Sequence, residues 1–211
     1  VAFNACVVNR VNKNGDVVDA QAALAMHEYF TNKPINIEHD RKKVIGVILV
    51  AGFSEFGTDK LLTKDQVKDS KDPFNITLGG VLWRVVNDDI TDLVEEASDP
   101  TSEFYKKISA SWELGFSDYK IAILEKGEKN IAEAEYVSDE KEVEEIMTSL
   151  KGLGGTGELE NGKCAYRQIV GDIIPLGIGL TETPAADVEG ILTENYKKEE
   201  NPKENLALDI S

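Results

Sequence analysis

The sequence predicts a mainly β fold with peripheral helices (α+β), organised as a small, mostly antiparallel barrel or sandwich. Three observations predict it. Apolar, β-branched segments of strand length recur along most of the chain. The helical patterns between them are too few for a doubly wound parallel sheet. The 211 residues are 41% apolar and 29% charged, which suits one domain of ordinary size, or one domain with an appendage, that buries its core without staples.

The elements follow in order. Phe3–Val11 reads as a strand that ends at the Asn12–Gly15 turn. Asp19 is a suitable N-cap for a helix carrying Ala22, Ala23, Met26 and Phe30 at helical spacing, with Asn32-Lys-Pro34 as its stop. Ile35–Glu38 is extended, and His39–Lys43 reads as a turn. Val44–Phe53 is nearly all apolar and reads as a buried strand. Ser54–Asn75 is polar and reads as a loop or flap. Strand character returns over Ile76–Val86. Asp88 or Asp89 then caps a short helix with Ile90, Leu93, Val94 and Ala97 on one face, and Asp99-Pro100 opens another. Lys107–Phe116 is again a strand.

The composition then shifts. Residues 125–162 are acidic and glycine-rich at their end, and read as an inserted helical segment lying over the core. Inside it, Asp139 and Glu142 fit a capping box, and Val143, Ile146, Met147 and Leu150 form the stripe of an amphipathic helix. Ile169–Leu180 reads as a strand pair broken by Pro175. The expected organisation is a core of residues 1–124 and 163–194, the 125–162 insertion, and a mobile charged tail from 195 to 211.

Composition also limits function. Acidic side chains number 39 against 23 basic ones, a net charge of −16, which repels phosphate backbones and disfavours a nucleic-acid partner. No apolar run reaches the ~18 residues of a membrane helix, so no membrane partner is expected. Cys6 and Cys164 cannot build a disulfide framework or a four-thiolate zinc site, and read as reduced intracellular thiols. A chain that starts at Val1 without a signal peptide reads as a trimmed or processed piece of something longer. Gly152–Gly157 matches G-x-G-x-x-G, but a helix precedes it and a polar turn follows, so it reads as a flexible connector rather than a nucleotide loop. No cofactor and no metal site is expected. The only two histidines are His27, inside a helical pattern, and His39, at the end of an extended stretch.

The candidate chemistry lies in Lys107–Phe116. Period-two alternation puts Ser109, Ser111 and Glu113 on one face, with Ile108, Ala110, Trp112 and Leu114 on the other. Serines in an apolar strand are not the β-favoured choice. Such a strand is either half-solvated, or it presents a nucleophilic serine to His39 as general base, with backbone N–H groups for the oxyanion.

Three motifs, in order, resemble those of the tailed-bacteriophage prohead (head maturation) proteases. Asn36–Gly46 resembles their His-Asp motif followed by Ile-Gly. Ser109–Leu114 resembles their nucleophile strand, in a register that selects Ser111 over Ser109. Gly177–Ala185 resembles their later strand ending in Pro-Ala. The resemblance implies a β-barrel of the herpesvirus assemblin type, closed or partly closed and ringed by helices. It implies a serine endopeptidase that processes scaffold and major capsid proteins, and itself, inside the prohead in the host cytoplasm, with His39 as general base and Ser111 as nucleophile. Assemblin-like enzymes often dimerise, which implies a homodimer, although no segment identifies an interface. One position departs from the family: Gly177 stands where it carries its orienting glutamate. Glu113 is the first replacement, about 7 Å along the strand from Ser111; Asp172 is second and Asp40 third, and a dyad is the remaining option. The departure keeps open a catalytically impaired structural component of the capsid or scaffold, and an acidic binding domain unrelated to proteases is a third reading.

Overall fold

The structure is a computed structural model that describes residues 1–194. It contains β1 (Ala2–Val8), β2 (Asp16–Val17), α1 (Ala20–Met26), β3 (Pro34–Ile37), β4 (Asp40–Glu55), β5 (Leu61–Leu62), α2 (Lys64–Val67), β6 (Phe74–Leu82), α3 (Asp88–Ser98), β7 (Ser109–Leu124), β8 (Glu135–Val137), α4 (Glu140–Met147) and β9 (Cys164–Thr181). Strand accounts for 42% and helix for 21%, so the fold is mainly β. The sheet runs β1-β6-β4-β3-β9-β7-β8, with β2 beside β9 and β5 beside β4. It is mixed and not closed: β3 and β2 pair with β9 in parallel, and the other ladders are antiparallel. At the open seam β1 approaches β7 without forming a ladder. Among the described residues no helix is long and apolar enough to cross a membrane.

Local chemistry explains most element boundaries. Asp19 accepts from the Ala22 N–H and starts α1, which runs on into a 3-10 turn over His27–Phe30; Asn32, at φ 66°, follows that turn. Asn87, not Asp88 or Asp89, caps α3 by accepting from the Ile90 N–H. Asp139 caps α4. The main core gathers Val8, Phe30, Ile35, Ile48, Phe74, Ile76, Leu78 and Ile178, against which α3 packs Val94 and Ala97. Each such side chain contributes about 1.5–3 kcal/mol on burial. A separate cluster joins Ile146 and Leu150 to Ile121, Ile123 and Ala165, so α4 packs on the far end of the β7–β9 pair rather than over the main core.

Several expected boundaries change. The turn at His39–Lys43 shrinks to Glu38-His39, because Ile37 pairs with Asp40 and β4 starts there. Val44–Phe53 is not uniformly buried: Leu49 and Val50 are both exposed, at the bulge where the β4–β6 register slips by one residue. The Ser54–Asn75 loop contains β5 and α2, the latter closed by a Thr63–Gln66 capping box. Asp99-Pro100 opens turns instead of a helix, because the Asp99 carboxylate accepts from Thr101 N–H and Oγ1 in competition with helical bonding. Pro175 does not divide the last strand. It sits where the β7–β9 register slips by one residue, and a bulge tolerates a missing N–H. The segment around Gly152–Gly157 is a packed turn rather than a loose connector, with the Arg167 guanidinium against Gly152. The expected tail at 195–211 lies outside the described residues.

Candidate functional site

The site begins with the β3–β4 hairpin. Its two turn residues, Glu38 and His39, lie at φ 49° and 59°. Positive φ at both centres is the geometry of a type I′ turn, which matches strand twist but favours Asn, Asp or Gly. Holding two other side chains there costs on the order of 1–3 kcal/mol each. The turn curls His39 back over β9.

Beneath the imidazole lies Gly179. A Cβ there would stand 2.7 Å from His39 Nδ1 and 2.9 Å from Cε1 and Cγ, so the ring occupies the space a side chain would take. Gly179 is in register with Asn36 of β3 on one side and Ser111 of β7 on the other. Residues in register project from the same face, so Asn36 and Ser111 flank the ring. Cross-strand Cβ positions are ~4.5–5.5 Å apart, which brings the imidazole within about 8 Å of Ser111 Cβ. Ser111 is buried and makes no side-chain hydrogen bond among the described residues.

Glu113, two residues further along β7, faces Gly177. Its Oε1 accepts from Asn36 Nδ2 at 2.8 Å and bonds His39 Nδ1 at 2.9 Å. Burial by itself would raise the Glu113 pKa, but the hydrogen bonds from Asn36 and His39, with the charges of His39 and Arg41, outweigh it and hold the carboxyl below its ordinary range. With Glu113 ionised, Nδ1 is the donor and Nε2 remains as the basic nitrogen of the neutral ring. Position 177 has no room for this carboxylate: a Cβ on Gly177 would stand 2.8 Å from the Pro34 carbonyl oxygen. Glu113 supplies it from the opposite strand.

The other sequence candidates lie elsewhere. Asp172 is an exposed residue five positions before Gly177, roughly 16 Å along a strand. Asp40 turns to its own hairpin, accepting from the Lys42 N–H with Lys43 Nζ at 3.7 Å. Ser109 is buried and accepts from the Gly190 N–H at 3.0 Å, which ties down the segment after β9. His27 is buried against Phe53 with Nδ1 on the Leu24 carbonyl, and burial lowers its pKa.

His39, Ser111 and Glu113 line a cleft of about 400 Å³, with an apolar wall of Leu114, Phe116 and Leu176 and a polar lip of Asn12, Asn14 and Arg41. A larger cavity of about 720 Å³ lies beyond the segment at Pro184–Ala186, but it contains neither histidine, and its one serine, Ser109, is already bonded. Among the described residues no group of three or more His, Cys, Asp or Glu side chains gathers as a metal site. Sequence reasoning missed Asn36, Gly179 and Arg41. Asn36 carried a signal, since a polar amide in the middle of an apolar extended stretch is not β-favoured.

No family model, curated protein or solved structure matches the chain.

Proposed function

We propose that this chain is a serine endopeptidase of the head-maturation type, with Ser111 as nucleophile, His39 as general base and Glu113 as the carboxylate that orients the imidazole. The observation that carries the reading is the position of Glu113. It lies in register with Gly177, bonds His39 Nδ1, and shares a face with Ser111. The orienting acid therefore comes from the neighbouring strand, aimed at the same ring.

In this reading the Ser111 hydroxyl approaches Nε2, and the imidazole takes its proton as Oγ attacks a peptide carbonyl. The imidazolium, its Nδ1–H held by Glu113, then protonates the leaving amine, and water hydrolyses the acyl-enzyme by the same proton route. Strain at the His39 turn is consistent with a functional position, because such strain concentrates at sites. The near approach of β1 to β7 supports a partly closed barrel of the assemblin type. The substrates in this reading are scaffold and major capsid proteins inside the immature capsid, in the host cytoplasm, and the enzyme acts as a homodimer.

A second reading, a catalytically impaired structural component of the capsid or scaffold, is favoured by one observation: Ser111 and His39 are not hydrogen-bonded to one another. A fluorophosphonate probe separates the two. Labelling confined to Ser111, with scaffold cleavage in assembling proheads abolished by Ser111→Ala in a folded protein, supports the enzyme. Cleavage that persists in Ser111→Ala removes Ser111 from the role.

A further inference from the structure

We propose that Asn36 is a positioning residue of this site: its buried side-chain amide grips the Glu113 carboxylate in the orientation that keeps the His39 proton on Nδ1. The inference rests on the peptidase reading for its catalytic consequence, although not for its geometry.

Asn36 is 1% exposed in the middle of β3, between Ile35 and Ile37. Its one side-chain hydrogen bond among the described residues is donated to Glu113 Oε1, and its own Oδ1 is buried without a partner. Buried polar atoms are nearly always paired. The orphaned oxygen has a cause: reversing the amide would put an acceptor against the Glu113 acceptor, so the carboxylate dictates which end faces it. A purely structural asparagine would satisfy both ends.

The amide and the imidazole converge on the same oxygen, Oε1. This matters because glutamate is long and its carboxylate needs a second anchor to hold one orientation. Arg41 lies on the cleft wall and acts on Glu113 through its charge. The remaining surroundings offer little else. Asp16, on the β2 side of the cleft, is held by Arg167 at 2.7 Å, and β9 presents only Gly177 and Gly179 beneath. Asn36 is thus the second group that fixes Glu113 Oε1 beside His39, and it does so without charge, leaving Glu113 free to compensate the imidazolium.

The test reads the His39 ring nitrogens by 15N NMR in the full chain at about pH 9, well above the ordinary imidazole value of ~6.5, together with a 13C titration of the Glu113 carboxyl. The native protein is expected to show a protonated Nδ1 and a bare Nε2. Asn36→Ala should give mixed tautomers, an upward move of the Glu113 midpoint, and a roughly 10- to 100-fold fall in kcat/KM carried by kcat. Asn36→Asp preserves volume but sets a second carboxylate beside Oε1, so the pair should share a proton and titrate in two steps, the upper one above the ordinary glutamate range. It decides the matter if Asn36→Ala does not fold. Unchanged ring nitrogens and an unchanged Glu113 titration in the folded variants overturn the proposal, even in an active peptidase. The expected NMR changes in a protein that cleaves nothing uphold the positioning role and remove the peptidase reading.

Discussion

Replacing Gly179 with alanine tests the proposed site through a residue that takes no part in the proposed chemistry. The added Cβ would stand 2.7 Å from His39 Nδ1, whereas carbon contacts relax at about 3.5–4.0 Å. The ring must therefore retreat by about 0.8–1.3 Å. The His39–Glu113 bond starts at 2.9 Å, so that retreat takes it beyond the ~3.2 Å limit of a good N–H···O bond. Misplacing a catalytic group by ~1 Å can cost ~10²-fold in rate, or about 2.7 kcal/mol of transition-state stabilisation. Stability should barely respond. The imidazole is 40% exposed, so solvent screening holds its bond to Glu113 to at most about 1 kcal/mol, roughly 2–4 °C in Tm for a chain of this size. The assays are kcat/KM on a scaffold-derived peptide and a thermal melt of the same preparation. A Gly179→Ala protein with native kcat/KM refutes the placement of the ring over β9; one that loses its fold along with its activity refutes the claim that the glycine serves the ring alone.

Glu113→Gln keeps the shape but leaves Nδ1–H without an anionic partner; kcat is expected to fall by about 10²–10⁴, with probe labelling of Ser111 slowed to match. The same residue carries a pH signature. Its carboxyl is lower in the folded protein than in the unfolded chain, so its stabilisation is present above the ordinary glutamate value of ~4.3 and disappears as pH falls through the lower folded value. Urea melts across that acid window should show a smaller loss of stability in Glu113→Gln than in the native protein, and equal losses would exclude the coupling. Phe53→Ala, which removes a buried ring packed on both His27 and Phe74, is expected to cost about 3–5 kcal/mol without altering the pH profile of cleavage; an altered profile would tie that core to the site.

Much of the scaffold was legible in the chain itself. Asp19 and Asp139 announced their helices because capping is local: the side chain bonds an N–H two or three residues away. The alternation in Lys107–Phe116 placed Ser111 and Glu113 on one face because strand geometry alone sets a period of two. Boundaries that depend on distant partners were less legible. Pro175 reads as a break, yet the strand continues through it because the ladder with β7 absorbs the slip. The mixed direction of the sheet was hidden too, since parallel pairing of β3 with β9 joins segments more than 140 residues apart.

Sequence alone determined the residue types of the site, an imidazole at 39, a hydroxyl at 111 and a carboxylate at 113, because chemistry resides in side chains and local periodicity orders them. Only the tertiary structure decided that these line one cleft: the parallel seat of β3 against β9 carries the hairpin tip to the strand facing Ser111, and the absent side chain at Gly179 leaves space for the ring. It also chose Glu113 over Asp172 and Asp40 and brought in Asn36, because which groups share a carboxylate depends on cross-strand register, and register is settled by burial of the whole sheet rather than by any segment of it.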